Sequence, residues 1–153
     1  MKIRGRHFAS GKLCDFSLRH GHIECVQPVS AEEVDHDEGL WIAPGLIDLQ
    51  VNGYGGHDFL SGDVTPDDVL AVAKALPRFG VTAFCPTVTT NSFRAMEAGL
   101  KAVNQACLSY EAASQRILGI HLEGPYLSPE DGPRGAHPPD HVRMPDWDEF
   151  TKL

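Results

Sequence analysis

The chain has 153 residues, 42% of them hydrophobic, which gives room for a sizeable core and excludes a disordered polymer. Its 13 Lys and Arg against 21 Asp and Glu leave a formal net charge of -8, so a nucleic-acid surface is excluded, because a phosphate backbone is held by clustered cations. A small phosphorylated ligand stays open, since a few local cations hold it whatever the overall sign.

No apolar segment follows the charged N-terminus as a secretory leader requires, and no apolar run is long enough to cross a bilayer. Cys14, Cys25, Cys85 and Cys107 lie at wide spacings without a Cys-x-x-Cys, which fits neither a zinc knuckle nor a disulfide framework. They read as reduced, mostly buried thiols of a cytoplasmic protein that touches no membrane.

Residues 2–6, 12–19 and 22–28 read as short strands separated by Ser10-Gly11 and His20-Gly21, a small all-β unit. The acidic stretch 32–39 reads as a solvated loop. From Leu40 the pattern becomes strand, loop, helix. Residues 45–51 are a nearly continuous apolar run, expected for a parallel strand covered on both faces. Thr65-Pro66-Asp67-Asp68 then offers an N-cap, a proline at the first helical position and first-turn acids. A second strand spans 81–87. The helix after it begins near Asn91-Ser92, with Phe93, Met96, Leu100, Val103 and Cys107 on one face as core packing. A third strand, 116–123, ends in Gly124-Pro125 and opens a long loop rich in Pro and Gly, and a new element starts around 145–153. Such repeats imply a parallel sheet with right-handed crossovers, and in doubly wound sheets and barrels alike the ligand lies beyond the carboxyl ends of the strands.

Those ends hold the candidate chemistry. Glu123 closes the third strand, either as an oxygen ligand to a metal or as an acceptor for loop amides. His121 shares its side by strand alternation, as a second ligand or as a hydrogen-bonded histidine one layer below the mouth. Gln50 and Asn52 share a side at the end of the first strand, where many barrel hydrolases carry His-x-His; neutral amides are poor zinc ligands, so they suit a water or substrate instead. Asp48 sits one step below Gln50 as a supporting acceptor. Gly53, Gly55 and Gly56 lack the spacing of a phosphate loop and read as tight turns, and nothing marks His57 as a ligand. His137, between Gly135-Ala136 and Pro138-Pro139, lies in a stiff loop, with Arg134 and Arg143 flanking it as groups able to attract an anion.

Three motifs, Ala43-Pro44-Gly45-Leu46-Ile47-Asp48-Leu49-Gln50-Val51-Asn52-Gly53, Gly80-Val81-Thr82-Ala83-Phe84-Cys85-Pro86-Thr87 and Gly119-Ile120-His121-Leu122-Glu123-Gly124-Pro125-Tyr126-Leu127, in this order and spacing, resemble the N-acetylglucosamine-6-phosphate deacetylases of the amidohydrolase superfamily. Gly135-Ala136-His137-Pro138-Pro139 resembles the same family's substrate loop.

The resemblance implies an α/β fold: the first three β/α units of a (β/α)8 barrel over residues 44–153, preceded by the first part of a small split β-sandwich domain over residues 1–43. It implies metal-dependent hydrolysis of the acetamide of N-acetylglucosamine 6-phosphate to glucosamine 6-phosphate and acetate, a step of amino-sugar catabolism. One divalent ion, expected to be zinc, would be held by Glu123. Ala136 and His137 would contact the amino-sugar phosphate, and Gln50 and Asn52 would mark a vestigial second-metal position in a branch where a single metal suffices. The full-length family members resemble one another in forming homodimers.

The resemblance also implies that two histidine ligands and the general-base aspartate belong to later strands, so no catalytic residue is expected among these 153 and the chain alone is expected to be inactive. The alternatives are a non-catalytic remnant, half of a split enzyme that associates with another chain, or another hydrolase of the superfamily.

Overall fold

The computed structural model describes residues 1–30 and 39–153, and the chain divides into two compact units, Met1–Pro44 and Gly45–Leu153. Apart from Gly39, the acidic stretch lies outside the described residues.

The first unit is one four-stranded sheet. Strands β1 (Lys2–His7), β2 (Leu13–Arg19), β3 (His22–Pro28) and β4 (Trp41–Ile42) lie in the order β3-β2-β1-β4, with β4 parallel to β1. The β2–β3 hairpin turns on His20 (φ 51°) and Gly21 (φ 78°), the pair of left-handed residues whose twist matches the flanking strands. Leu13, Cys14 and Phe16 are buried, whereas β3 is exposed along its length. Cys25 is therefore exposed and Cys85 and Cys107 half-buried, so only Cys14 behaves as the expected buried thiol. Alternation along β2 decides this: β3 is an edge strand with nothing laid over it among the described residues.

In the second unit β5 (Leu46–Val51), β8 (Val81–Thr89) and β9 (His121–Glu123) form a parallel sheet in the order β5-β8-β9, and β6 (Gly53–Tyr54) pairs with β7 (His57–Asp58) as a separate hairpin. Helix α1 (Pro66–Ala75), a 3-10 turn (Leu76–Phe79), α2 (Phe93–Ser109) and the single turn α3 (Glu111–Ser114) complete two strand–helix units. The core gathers Val51, Phe59, Val69, Val72, Phe84, Val103 and Ala106.

Three expectations change. The run at 45–51 is not covered on both faces: Leu46, Ile47 and Leu49 are 62%, 58% and 68% exposed, because β5 is the edge of a three-stranded sheet. The third strand is reduced to His121–Glu123 plus a bridge from Ile117 to Phe84, and the element expected around 145–153 is one helical turn, α4 (Trp147–Phe150). The buried stripe of α2 is Met96, Gly99, Ala102, Val103 and Ala106, so Met96 and Val103 face the core as expected while Gly99, Ala102 and Ala106 stand where Phe93 and Leu100 were expected; a Cβ on Gly99 would meet the Phe59 carbonyl oxygen at 2.3 Å. No helix among the described residues is long and apolar enough to cross a membrane.

The start of α1 carries more than its sequence suggested. The Thr65 side chain accepts from the Asp68 amide and the Asp68 carboxylate accepts from the Thr65 amide, a complete capping box, and His57 Nδ1 lies 2.7 Å from the same carboxylate. Bonds from Thr65 and then His57 pull the Asp68 carboxyl from 3.8 down to about 2. A depressed carboxyl contributes stability above its unfolded pKa and loses it as pH falls through the folded value. Chemical denaturation of the wild type and Asp68→Asn should therefore show a stability gap that is full above about pH 5 and closes towards pH 2. A gap independent of pH would place the stabilisation elsewhere.

Candidate active site

Parallel pairing brings the carboxyl ends of β5, β8 and β9 to one edge, with Thr89 in register beside Glu123. Gln50, at the end of β5, donates from Nε2 to Glu123 Oε2 at 2.5 Å. Asp48 Oδ1 accepts from the Gln50 amide at 3.1 Å, so the expected supporting acceptor holds the backbone of Gln50. His137 reaches the same place from the long loop: its Nε2 lies 3.4 Å from Glu123 Oε1 and its Nδ1 2.8 Å from Thr90 Oγ1. Thr90 in turn donates to the Glu123 carbonyl at 3.3 Å. Thr89, Glu123, Ala136, His137 and Pro138 line a concavity of about 210 Å³.

The loop that delivers His137 is tied at its ends. The Arg143 amide donates to the Pro125 carbonyl at 3.0 Å, and the Arg143 guanidinium donates to the carbonyls of Asn91 and His141 and to both oxygens of Glu149. The Glu149 carboxyl is held below its ordinary range by the Arg143 bond, and burial first, then the Glu149 charge, pushes the Tyr126 hydroxyl up. Within the loop, Arg134 donates to the His137 carbonyl at 2.7 Å and pairs with Asp131. The Arg143 guanidinium is taken up by neighbours, whereas Arg134 keeps its Nε without a hydrogen-bond partner among the described residues.

Glu123, Gln50, Ala136 and His137 are brought together. Asn52 is exposed, and no hydrogen bond among the described residues ties it to Glu123. His121 Nδ1 lies 3.2 Å from the Leu49 carbonyl, which only accepts, so the ring donates there, in line with the hydrogen-bonded of its two readings. Gly55 (φ 67°) and Gly56 (φ 91°) form the β6–β7 turn and build no phosphate cradle. Thr89 and Thr90 lie in the strand-end stretch 86–90, one of the three such stretches that the strand order marks for a ligand, but nothing in the sequence assigns either a role.

A mononuclear catalytic zinc draws on three protein ligands. Among the described residues no group of three His, Cys, Asp or Glu side chains is placed to hold an ion, so the residues present do not by themselves fit a metal.

A parallel α/β sheet with a carboxylate and an imidazole gathered over its carboxyl edge defines an enzyme-type site of the barrel or doubly wound class. The proteins it is similar to are amino-sugar phosphate deacetylases. The chain is 39% identical over 125 residues to the bovine (Bos taurus) N-acetylglucosamine-6-phosphate deacetylase, a match covering 80% of this chain and 29% of that protein. It is 40% identical over 102 residues to the N-acetylgalactosamine-6-phosphate deacetylase of Shewanella sp. (strain ANA-3), covering 67% of this chain and 24% of that one. The crystal structure of N-acetylglucosamine-6-phosphate deacetylase from Thermotoga maritima superposes with a TM-score of 0.80 at 26% identity, over 100% of this chain and 39% of that chain. No protein-family model matches. Over its matched length the chain is homologous to the N-acetylglucosamine-6-phosphate deacetylases, which are hydrolases, and it spans about three-tenths of the length of the curated relatives it matches.

Gly124 is the point on which this geometry tests itself. Its φ is +84°, and a Cβ there would lie 2.0 Å from Thr90 Oγ1. Gly124→Ala should destabilise the second unit by about 1–3 kcal/mol, the cost of a strained backbone, and more where Thr90 must move. Thermal or urea unfolding measures it, and a neutral effect would mean that β9 and Thr90 are not this close.

Proposed function

We propose that the protein carrying this chain is a metal-dependent deacetylase of N-acetylated amino-sugar 6-phosphates, releasing acetate and the free amine, and that N-acetylglucosamine 6-phosphate is its substrate. The observation that carries the reading is that Glu123 and His137, from separate motifs, line one concavity beyond the carboxyl edge of the parallel sheet, with Gln50 from a third motif bonded to Glu123. The names of the relatives support the substrate class. The Shewanella relative favours a second reading at the level of the sugar, because its named substrate is the galactose epimer.

The second unit in this reading is the opening portion of a (β/α)8 barrel, and the first unit is part of a β-sandwich. Glu123 would hold one position on a divalent ion, zinc by resemblance, whose other ligands and whose general base would come from outside these residues. Such an ion, when bound, polarises the acetamide carbonyl and makes water a better nucleophile. The chain's own residues do the rest of what is proposed here. Gln50 fixes one carboxylate oxygen of Glu123 by donating to it, and Ala136 and His137 shape the floor on which the amino sugar lies. The negative net charge supports a partner that is neither nucleic acid nor membrane. A cytoplasmic homodimer completes the proposal.

Acetate release from N-acetylglucosamine 6-phosphate and from its galactose epimer, assayed with added zinc, tests the reading. Turnover of the first, loss of bound metal in Glu123→Gln, and no turnover by the 153 residues expressed alone are the expected results. Equal metal loading of Glu123→Gln at limiting supply would remove Glu123 from the site.

The two carboxamides should separate in the same protein. Asn52→Ala should leave one metal per site with little change in affinity. Gln50→Ala should keep that stoichiometry and weaken binding about 10–100-fold, as loss of a partner that orients a ligand does. Metal titration of both variants decides it, and loss of the metal in Asn52→Ala would show Asn52 to be a ligand.

A further inference from the structure

We infer that Arg143 is a positioning residue of this site: it clamps the two ends of the loop that carries Ala136 and His137 to each other and to the end of β8, so that the floor for the amino sugar is set before a ligand arrives. The inference deepens the deacetylase reading and rests on it for the role of Ala136 and His137.

Arg143 stands at the far end of that loop, and its backbone amide donates to the carbonyl of Pro125, at the near end, at 3.0 Å. Its side chain uses all three nitrogens. Nε and Nη2 donate to the two carboxylate oxygens of Glu149, the first at 2.8 Å, in the fork that a carboxylate matches. Nη1 donates to the carbonyls of His141 at 2.7 Å and of Asn91 at 3.2 Å. Asn91 directly follows Thr90, whose hydroxyl meets both the Glu123 carbonyl and the His137 ring. The far end of the loop is thereby tied to the strand end that also locates Glu123 and His137. The near end reaches the same carboxylate, because the Tyr126 hydroxyl lies 3.4 Å from Glu149 Oε2.

The set of bonds suits arginine and not lysine. A guanidinium holds five N–H groups in one rigid plane, whereas an ammonium is a point charge with three, unable to fork onto a carboxylate and reach two carbonyls besides. The Arg143 and Glu149 side chains are 28% and 19% exposed, so the pair is screened less than one on the open surface. Between the tied ends, Ala136 and His137 line the cavity with Thr89, Glu123 and Pro138. A long loop without its clamp samples many arrangements, and ordering it around a ligand subtracts from affinity. Arg143 is not among the residues that line the cavity; it acts through the loop.

The test compares the protein that carries this chain with its Arg143→Gln, Arg143→Lys and Glu149→Gln variants. Trypsin under native conditions reads the loop directly, because the bond from Arg134 to Gly135 is a tryptic site within it, and fragment masses report that cut alone. Cleavage there should be about tenfold faster in Arg143→Gln, the worth of a hydrogen bond to a charged group, and Arg143→Lys should not restore the wild-type rate. Glu149→Gln, which keeps the arginine and weakens its partner, should speed the cut by less, and it decides the matter should Arg143→Gln fail to fold. In the deacetylase assay, KM for N-acetylglucosamine 6-phosphate should rise about tenfold in both Arg143 variants, with a smaller change in kcat per folded molecule. A merely structural role would lower the folded fraction and leave KM where it was. Unchanged cleavage in the variants, an unchanged KM, or full rescue by lysine overturns the inference. Absence of wild-type turnover with either sugar would remove the deacetylase reading, and the tryptic rates would still decide whether Arg143 clamps the loop.

Discussion

The candidate site depends on one close approach. Gly124 turns out of β9 with φ +84° and passes so near Thr90 that no side-chain carbon fits between them. That approach lets one hydroxyl bond the backbone of Glu123 and the ring of His137 together. A carboxylate at the end of a strand and an imidazole in a long loop would otherwise be placed independently. Here the end of β8 is their common reference, and because Thr90 is buried the link is insulated from solvent.

Around that link the charges are arranged so that few are left to a ligand. Arg134 and Arg143 serve the loop that bears His137, one by bonding the His137 carbonyl and pairing with Asp131, the other by joining Pro125, Asn91 and Glu149. Gln50 brings a donor rather than a second anion against Glu123, so the carboxylate is oriented without being repelled. The site presents a single negative group with an amide on one oxygen and an imidazole near the other, which is why its elements alone do not gather an ion.

Much of the scaffold was legible in the sequence because its causes are local. The hairpin at His20-Gly21, the cap and proline at Thr65-Pro66, the N-cap Ser92 and the strand ending at Glu123 each follow from residues adjacent to the feature. Thr90 was not legible because its partners are 33 and 47 residues away, and a threonine at a strand end has many bland uses. The stripe of α2 was misplaced for a related reason: counting large apolar residues points to Phe93 and Leu100, whereas the helix is drawn in through Gly99 and Ala106, whose contribution is the absence of bulk. The arginines have local partners of the same kind. Their carboxylate partners, Asp131 and Glu149, lie three and six residues off, and weighing those neighbours would have shown the guanidinium groups to be engaged.

The exposed apolar residues show where local order stops being sufficient. Leu46, Ile47 and Leu49 on β5 and Leu118 and Ile120 beside β9 flank both edges of the sheet, and they are 62%, 58%, 68%, 59% and 39% exposed. Burying one such side chain is worth about 1.5–3 kcal/mol, so these flanks are a substantial stabilisation that the described residues leave unrealised. The carboxylate, the imidazole and their threonine link are fixed by hydrogen bonds that involve none of these exposed side chains. Placing the three groups is thus separable from burying the flanks: it is encoded in contacts among β5, β8, β9 and the loop.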